Sequence, residues 1–202
     1  MIDARDYTTI DFIKSYVINE QKPTCVIINK LCWSSQQKVK LAVEISKAGF
    51  RLSETPVLTT EYLYHNLLFL LDFDCANAPE VVYDAISRKL FASPFRWLML
   101  SSSLNVTSFS LVLNSPILPD SDVVLAERIR YGFKLTEIHR TSLSGFMVYK
   151  PRGYYDGTMV DIRPHREMYR RRKNVMGHTL TMANVIQDSN TTQYHLPRED
   201  RL

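Results

Sequence analysis

The sequence predicts an α/β fold: a mostly parallel sheet flanked by helices, then later short strands and an irregular basic connector. Three observations predict it. Between residues 12 and 101, short apolar runs alternate with amphipathic segments long enough to be helices. Strands separated by helices imply right-handed crossovers and parallel pairing. From Ser101 onward, turn clusters such as Asn114-Ser115-Pro116 and Leu118-Pro119-Asp120 separate shorter strand-like segments.

Each element has its own signal. Residues 11–18 place apolar side chains at helical spacing. Cys25-Val26-Ile27-Ile28 follows Pro23 and suits a strand buried on both faces. Ser34 or Ser35 caps a helix running to Ala48, with Val39, Ala42, Val43 and Ser46 on one side and Gly49 as its stop. Residues 50–53 read as the second strand, 60–64 as a helical turn or two, and 67–73 as the third strand. Asn77-Ala78-Pro79-Glu80 reads as a capped helix start, Asn77 and Glu80 answering one another and Pro79 losing no hydrogen bond in the first turn. That helix is expected to bury Val82, Ala85, Ile86 and Leu90 and to end at Ser93-Pro94. Residues 95–100 form the fourth strand, and Ser101-Ser102-Ser103 opens a loop. Residues 123–126, 133–139 and 146–149 read as later strands. Residues 150–170 carry Pro151, Gly153, Gly157 and Pro164 without a hydrophobic period and read as a connector.

Composition narrows the function classes. At 202 residues with 45% apolar and 23% charged side chains, the chain can bury a full core. The net charge of +4 is local. Basic and acidic residues cancel over 1–149, whereas 150–175 hold eight basic side chains against three acidic ones. This is a charged connector, not a basic binding face with a nucleic-acid motif, so no nucleic-acid partner is expected. Its arginines suit solvent, anionic headgroups, or acidic groups on a partner domain. No run of eighteen apolar residues occurs, and Met1-Ile2-Asp3-Ala4-Arg5-Asp6 lacks the character of a secretory leader. By composition alone the chain reads as soluble and intracellular.

Catalytic chemistry has little support. There is no glycine-rich phosphate loop after the first strand, where Asn29-Lys30-Leu31-Cys32-Trp33-Ser34-Ser35 stands. The five histidines have no metal-ligand spacing, and Ser142-Leu143-Ser144-Gly145 is a turn, not a nucleophile elbow. No catalytic residue, cofactor or metal is expected, and the chain is read as a non-enzyme. Cys25 belongs in the core. Cys32 and Cys75 fall just after the first and third strands, which are neighbours in a sheet ordered 2-1-3-4. They are within reach of a disulfide in an oxidising setting and are free thiols in a reducing one. Asn105-Val106-Thr107 and Asn190-Thr191-Thr192 are glycosylation sequons at Asn105 and Asn190.

The segment Gly153-Tyr154-Tyr155-Asp156-Gly157, followed by Arg170-Arg171-Arg172-Lys173-Asn174-Val175-Met176-Gly177-His178-Thr179-Leu180, resembles insect chemosensory ionotropic receptors. In that family, divergent relatives of ionotropic glutamate receptors, a Gly-Tyr/Trp-x-x-Gly patch precedes an Arg-rich Asn/Asp-Leu-x-Gly-x-x-Leu entry strand. Val175 stands where the family usually has Leu. Pro119-Asp120-Ser121-Asp122-Val123 and Thr136-Glu137-Ile138-His139-Arg140 are similar to the acid-sensing branch. The family-like positions are Gly153, Tyr154, Gly157, Arg171, Arg172, Asn174 and Gly177.

The resemblance implies a periplasmic-binding-protein-like lobe in an extracellular amino-terminal domain at 1–149. It implies a basic connector at 150–177 and the start of a truncated ligand-binding domain at 178–202, with 179–186 as its first strand. It also implies a ligand-gated cation channel that detects odorants or acids and assembles with co-subunits. The ligand site for a small acid or amine, the pore and the membrane spans then lie outside this sequence. The alternative reading is a soluble α/β small-molecule-binding or interaction module. Its crevice would gather Cys32, Trp33, Ser34, Asp74 and Ser101 at the carboxyl ends of the strands.

Overall fold

A computed structural model describes residues 4–20, 26–54, 67–102 and 106–172. It begins with helix α1 (Ala4–Asn19) and strand β1 (Val26–Asn29), followed by α2 (Ser35–Lys47), β2 (Arg51–Ser53) and β3 (Leu67–Asp72). Next come α3 (Ala78–Ser87), β4 (Arg96–Ser101), α4 (Val106–Asn114), β5 (Asp122–Ile129) and β6 (Gly132–Arg140). The described part ends with β7 (Met147–Tyr155), β8 (Met159–Asp161) and the short helix α5 (Met168–Arg171). All eight strands form one sheet in the order β2-β1-β3-β4-β5-β6-β7-β8. The first five are parallel, and β5 through β8 are antiparallel.

The parallel half is buried on both faces, as its continuous apolar runs require. Ile27, Leu68, Leu70, Leu98 and Val124 face Phe12 and Ile13 of α1 and Leu41 and Ile45 of α2. Ile28, Phe69, Trp97, Met99 and Val123 face Val82 and Ala85 of α3 and Val112 of α4. The Phe12 ring stacks on Phe133 with centroids 4.1 Å apart, anchoring α1 to the antiparallel half.

Local chemistry explains the termini, with corrections. Ser34 caps α2 in a box with Gln37, and Gly49 follows the helix at φ +87°. The face that α2 buries is set by Leu41 and Ile45, whereas Val39 and Val43 are exposed. The apolar residues expected on one side thus straddle the true contact line. Asn77 precedes α3, but its side chain makes no capping bond. Its dihedrals (φ −88°, ψ 4°) are not those of an extended cap, and the Asp72–Asn77 turn engages the backbone instead, with the Ala78 N–H donating to the Cys75 carbonyl at 3.0 Å. The helix buries Val82 and Ala85, leaves Ile86 half-buried, and ends at Ser87, earlier than Ser93-Pro94. Helix α4 was not expected; a serine-led loop was.

The largest correction concerns the connector. Residues 150–161 are part of the sheet: β7 runs through Tyr155 and β8 pairs with it. The domain therefore extends past residue 149, and its described part closes at Arg172. Pro151 and Gly153, which read as loop residues, flank the irregular register opposite Leu135 and Thr136. A bulge tolerates both a missing N–H and an unusual φ. Tyr155 is buried in the core while Tyr154 is partly exposed. This segment is a clasp, not a tether. Cys25, Asn105, residues 60–64, Asn174, Gly177, the expected strand at 179–186, Asn190 and the whole of 178–202 lie outside the described residues.

Two glycines of the family-like patch have separate structural reasons. Gly153 has φ +154°, and a Cβ there would meet the Val160 carbonyl oxygen at 1.9 Å. Gly157 has φ +108° in the β7–β8 turn with open space around it. Gly153→Ala is therefore expected to cost about 2–4 kcal/mol, from strain plus collision. Gly157→Ala should cost about 1–2 kcal/mol from strain alone. Urea melts of both variants check this ordering; equal losses would contradict it.

Candidate functional sites

Two constellations occupy opposite ends of the sheet. The first lies at the amino ends of the parallel strands, on the α1 face. Strand β6 sends Phe133 and Leu135 into that face, and the period of two places Glu137 and His139 there as well. Glu137 is 1% exposed. Its Oε1 accepts from Nε and Nη2 of Arg172 at 2.8 and 2.6 Å. Its Oε2 accepts from Nε and Nη2 of Arg171 at 3.1 and 2.5 Å. Arg172 Nη1 donates to the carbonyls of Pro119 and Ser121 at 2.7 and 2.6 Å, and Lys150 Nζ donates to the Arg171 carbonyl at 2.6 Å. Side-chain exposures of 5% for Arg171 and 2% for Arg172 correct the expectation of a solvated basic run. These arginines pair with an acid in their own sheet.

Burial alone would raise the Glu137 carboxyl, but the charges of Arg172 and Arg171 and their hydrogen bonds outweigh it and hold the carboxyl below its ordinary value. His139 is pushed down to about 4, first by burial and then by the charge of Arg172; Glu137 opposes, while Lys150 and Arg171 add to the depression. It is neutral at pH 7.

A second ionic belt adjoins the first. Glu20, just after α1, accepts from Arg152 of β7, whose guanidinium lies 3.6 Å from Asp122 and over the Tyr16 ring. Arg163 bridges Glu20 and Asp161, its Nη2 lying 2.6 Å from Asp161 Oδ2. A cavity of about 120 Å³ between belt and clasp is lined by Glu20, Asp122, Arg163, Arg166, Glu167, Met168 and Arg171. Each of its charged walls is engaged in an ion pair, Glu20 with Arg163 and the others with Arg152, Asp161, Arg170 and Glu137 around it, so this constellation reads as a structural lock.

The second constellation lies at the carboxyl ends, where the strand order reverses between β1 and β3. Here Cys32 and Cys75 form a disulfide with Cα atoms 5.7 Å apart. The Cys32 N–H also donates to Cys75 Sγ at 3.1 Å. The bridge joins the loops after β1 and β3. Beside it opens a crevice of about 120 Å³ lined by Thr9, Trp33, Asp72, Asp74, Leu100, Ser101, Ser102, Arg128 and Phe133. Trp33 Nε1 donates to Asp72 Oδ2 at 3.4 Å, the Asp74 N–H to Asp72 Oδ1 at 3.0 Å, and the Ser102 N–H to Asp74 Oδ2 at 3.0 Å. Burial pushes the Asp72 carboxyl up, and the neighbouring charge of Asp74 adds to the shift.

Of the residues expected around such a crevice, Trp33, Asp74 and Ser101 do line it. Cys32 belongs to the bridge, and Ser34 caps α2. Sequence reasoning missed Arg128 and Glu137. The usable signal was parity: each continues the alternation of an apolar strand face, Val124–Ala126–Arg128 and Phe133–Leu135–Glu137. A charge in such a position needs a partner.

Compared with known proteins, the chain matches no family model, no curated protein and no solved structure. The geometry is therefore the only guide beyond the motif resemblance. Among the described residues, no helix is long and apolar enough to cross a membrane.

Three outcomes follow from the two sites. Glu137→Gln strands two buried guanidiniums and is expected to destabilise by about 3–5 kcal/mol in urea melts; a loss under 1 kcal/mol would contradict the lock. Because His139 titrates near 4 when folded and near 6.5 when unfolded, the unfolded chain binds the extra proton between those values. Stability should be fully developed above about pH 6.5 and fall as pH drops towards 4, with Glu137 adding a further loss below its ordinary value. His139→Gln should flatten the slope between pH 6.5 and 4; an unchanged slope would assign it elsewhere. Finally, the bridge spans 43 positions, so reducing it should remove about 4 kcal/mol of stability.

Proposed function

We propose that the chain belongs to a ligand-gated cation channel of the insect ionotropic receptor kind, in which it is the extracellular amino-terminal domain. In this reading it supports assembly with co-subunits and fixes the position of a following ligand-binding lobe in a receptor for chemical stimuli. The pore and the ligand site for a small acid or amine lie in that following part, not in the described domain.

The observation that carries the reading is the role of the family-like segment. Gly153, Tyr154 and Gly157 belong to the β7–β8 hairpin, Tyr154 pairing with Val160, and Arg171 and Arg172 bind Glu137. The described domain is therefore tied down up to Arg172, directly before the stretch that resembles an entry strand. A receptor domain has a use for such anchoring, because a rigid junction lets two domains keep a defined geometry. A tether would leave them independent. The Cys32–Cys75 bridge suits an oxidising extracellular setting.

The direct check is the complete transcript around this reading frame. The reading expects downstream segments of about twenty apolar residues and an upstream secretory signal. Expressed with a co-subunit, the full product should carry cation current evoked by small acids or amines. A transcript encoding neither membrane spans nor a secretory signal would contradict the reading.

A further inference from the structure

The crevice beside the disulfide carries opposite charges on opposite walls. Asp72, Leu100 and Ala126 are register partners across β3, β4 and β5, and Arg128 lies two residues beyond Ala126 on the same face. Two strand spacings, about 10 Å, separate the backbones of Asp72 and Ala126, and Arg128 is offset by two further residues along β5, so the acid and the base stand on different sides of the crevice. Between them lie Leu100 and the hydroxyl-bearing Ser101 and Ser102, with Trp33 on the rim.

We propose that this crevice is a binding site for a small zwitterion, a molecule with an ammonium group at one end and a carboxylate at the other. Arg128 is prepared for the carboxylate. One of its N–H groups donates to Thr9 Oγ1, and its guanidinium lies 4.9 Å from the centroid of the Phe133 ring, which fixes its plane. Among the described residues no carboxylate lies within ion-pair distance of it, so the rest of its fork is available to a planar anion. The ammonium belongs at Asp72. Each oxygen of that carboxylate takes a single N–H, from Asp74 or Trp33, and keeps a lone pair for another donor. Asp74 beside it adds negative charge that no cation within the crevice offsets directly.

Size sets the class. A cavity of about 150 Å³ holds a six-carbon ring, so about 120 Å³ corresponds to about five non-hydrogen atoms. Glycine, with five, matches that size, and β-alanine, with one more, extends into the open mouth of the crevice; a nucleotide or sugar phosphate is several times larger. The Cys32–Cys75 bridge fixes the loops that carry Trp33 and Asp74, so little ordering is left for binding to impose. The inference is independent of the receptor reading, because it concerns a site wholly inside the described domain.

Fluorescence tests it on the whole chain. The protein has two tryptophans. Trp97 is fully buried on the opposite face, with its N–H on the Leu90 carbonyl at 2.7 Å, so a change in emission reports Trp33. Glycine and β-alanine should give saturable changes, whereas methylamine and acetate, each carrying one charge, should bind at least tenfold more weakly. Asp72→Asn and Arg128→Gln should each weaken zwitterion binding tenfold or more while keeping the wild-type circular dichroism spectrum. Calorimetric titration of the unaltered protein with the same four compounds gives the discrimination without any substitution. No saturation with either zwitterion, or methylamine or acetate binding as tightly as glycine, would overturn the proposal.

Discussion

Glu137 puts a carboxylate in the interior of the sheet, and much of the surrounding architecture follows from neutralising it. A buried carboxylate is sustained only when its charge is balanced and its lone pairs are occupied. Arg171, the last residue of α5, and Arg172, which follows it, do both, one guanidinium on each oxygen. The pair carries more positive charge than Glu137 cancels. The excess is absorbed by backbone carbonyls of Pro119, Ser121 and His165. It also bears on His139, which stays neutral in the same cluster. Met168 of α5 is buried as well, so the segment that carries the arginines packs on the domain instead of lying in solvent.

The two halves of the sheet are held by different physics. In the parallel half, helices cover both faces and the binding energy is apolar. In the antiparallel half, the amino end is tied by ionic contacts from Arg152 and Arg163 to Glu20, Asp122 and Asp161. Such pairs add little beyond the cost of dehydrating their charges, but each partner becomes indispensable once the other is buried. They fix geometry more than they add stability. At the opposite end the disulfide does the corresponding work, holding the loops after β1 and β3 together beside an open crevice.

Much of the parallel half was legible in the amino-acid sequence because local and global signals agree there. Ser34 and Gly49 bracket α2, apolar runs mark β1, β3 and β4, and the resulting strand order brings Cys32 beside Cys75. The antiparallel tail was less legible. Pro151, Gly153 and a run of like charges have the composition of a loop, and only pairing with β6 makes them a bulged strand. A basic run looks solvated until the acid that meets it is known, and Glu137 lies more than thirty positions upstream. The exposed Val39 and Val43 carried the wrong face of α2 for a related reason: helix rotation is decided by the sheet beneath, not by counting apolar residues. In the crevice, Trp33 and Asp74 follow from strand ends, whereas Arg128 needs the register of β5.

Native-state hydrogen exchange on residues 160–172 tests most directly whether the arginine segment is part of the fold. The Ile162 N–H donates to the Arg152 carbonyl at 3.0 Å and the Arg172 N–H to the Met168 carbonyl at 3.1 Å. If the clasp is integral, these two amides should exchange far more slowly than the unstructured chain, and Glu137→Gln should accelerate Arg172 more than amides of β3. Exchange of both amides at the unstructured rate in the unaltered protein would mean that the segment is a tether, and the account built on Glu137 would fail.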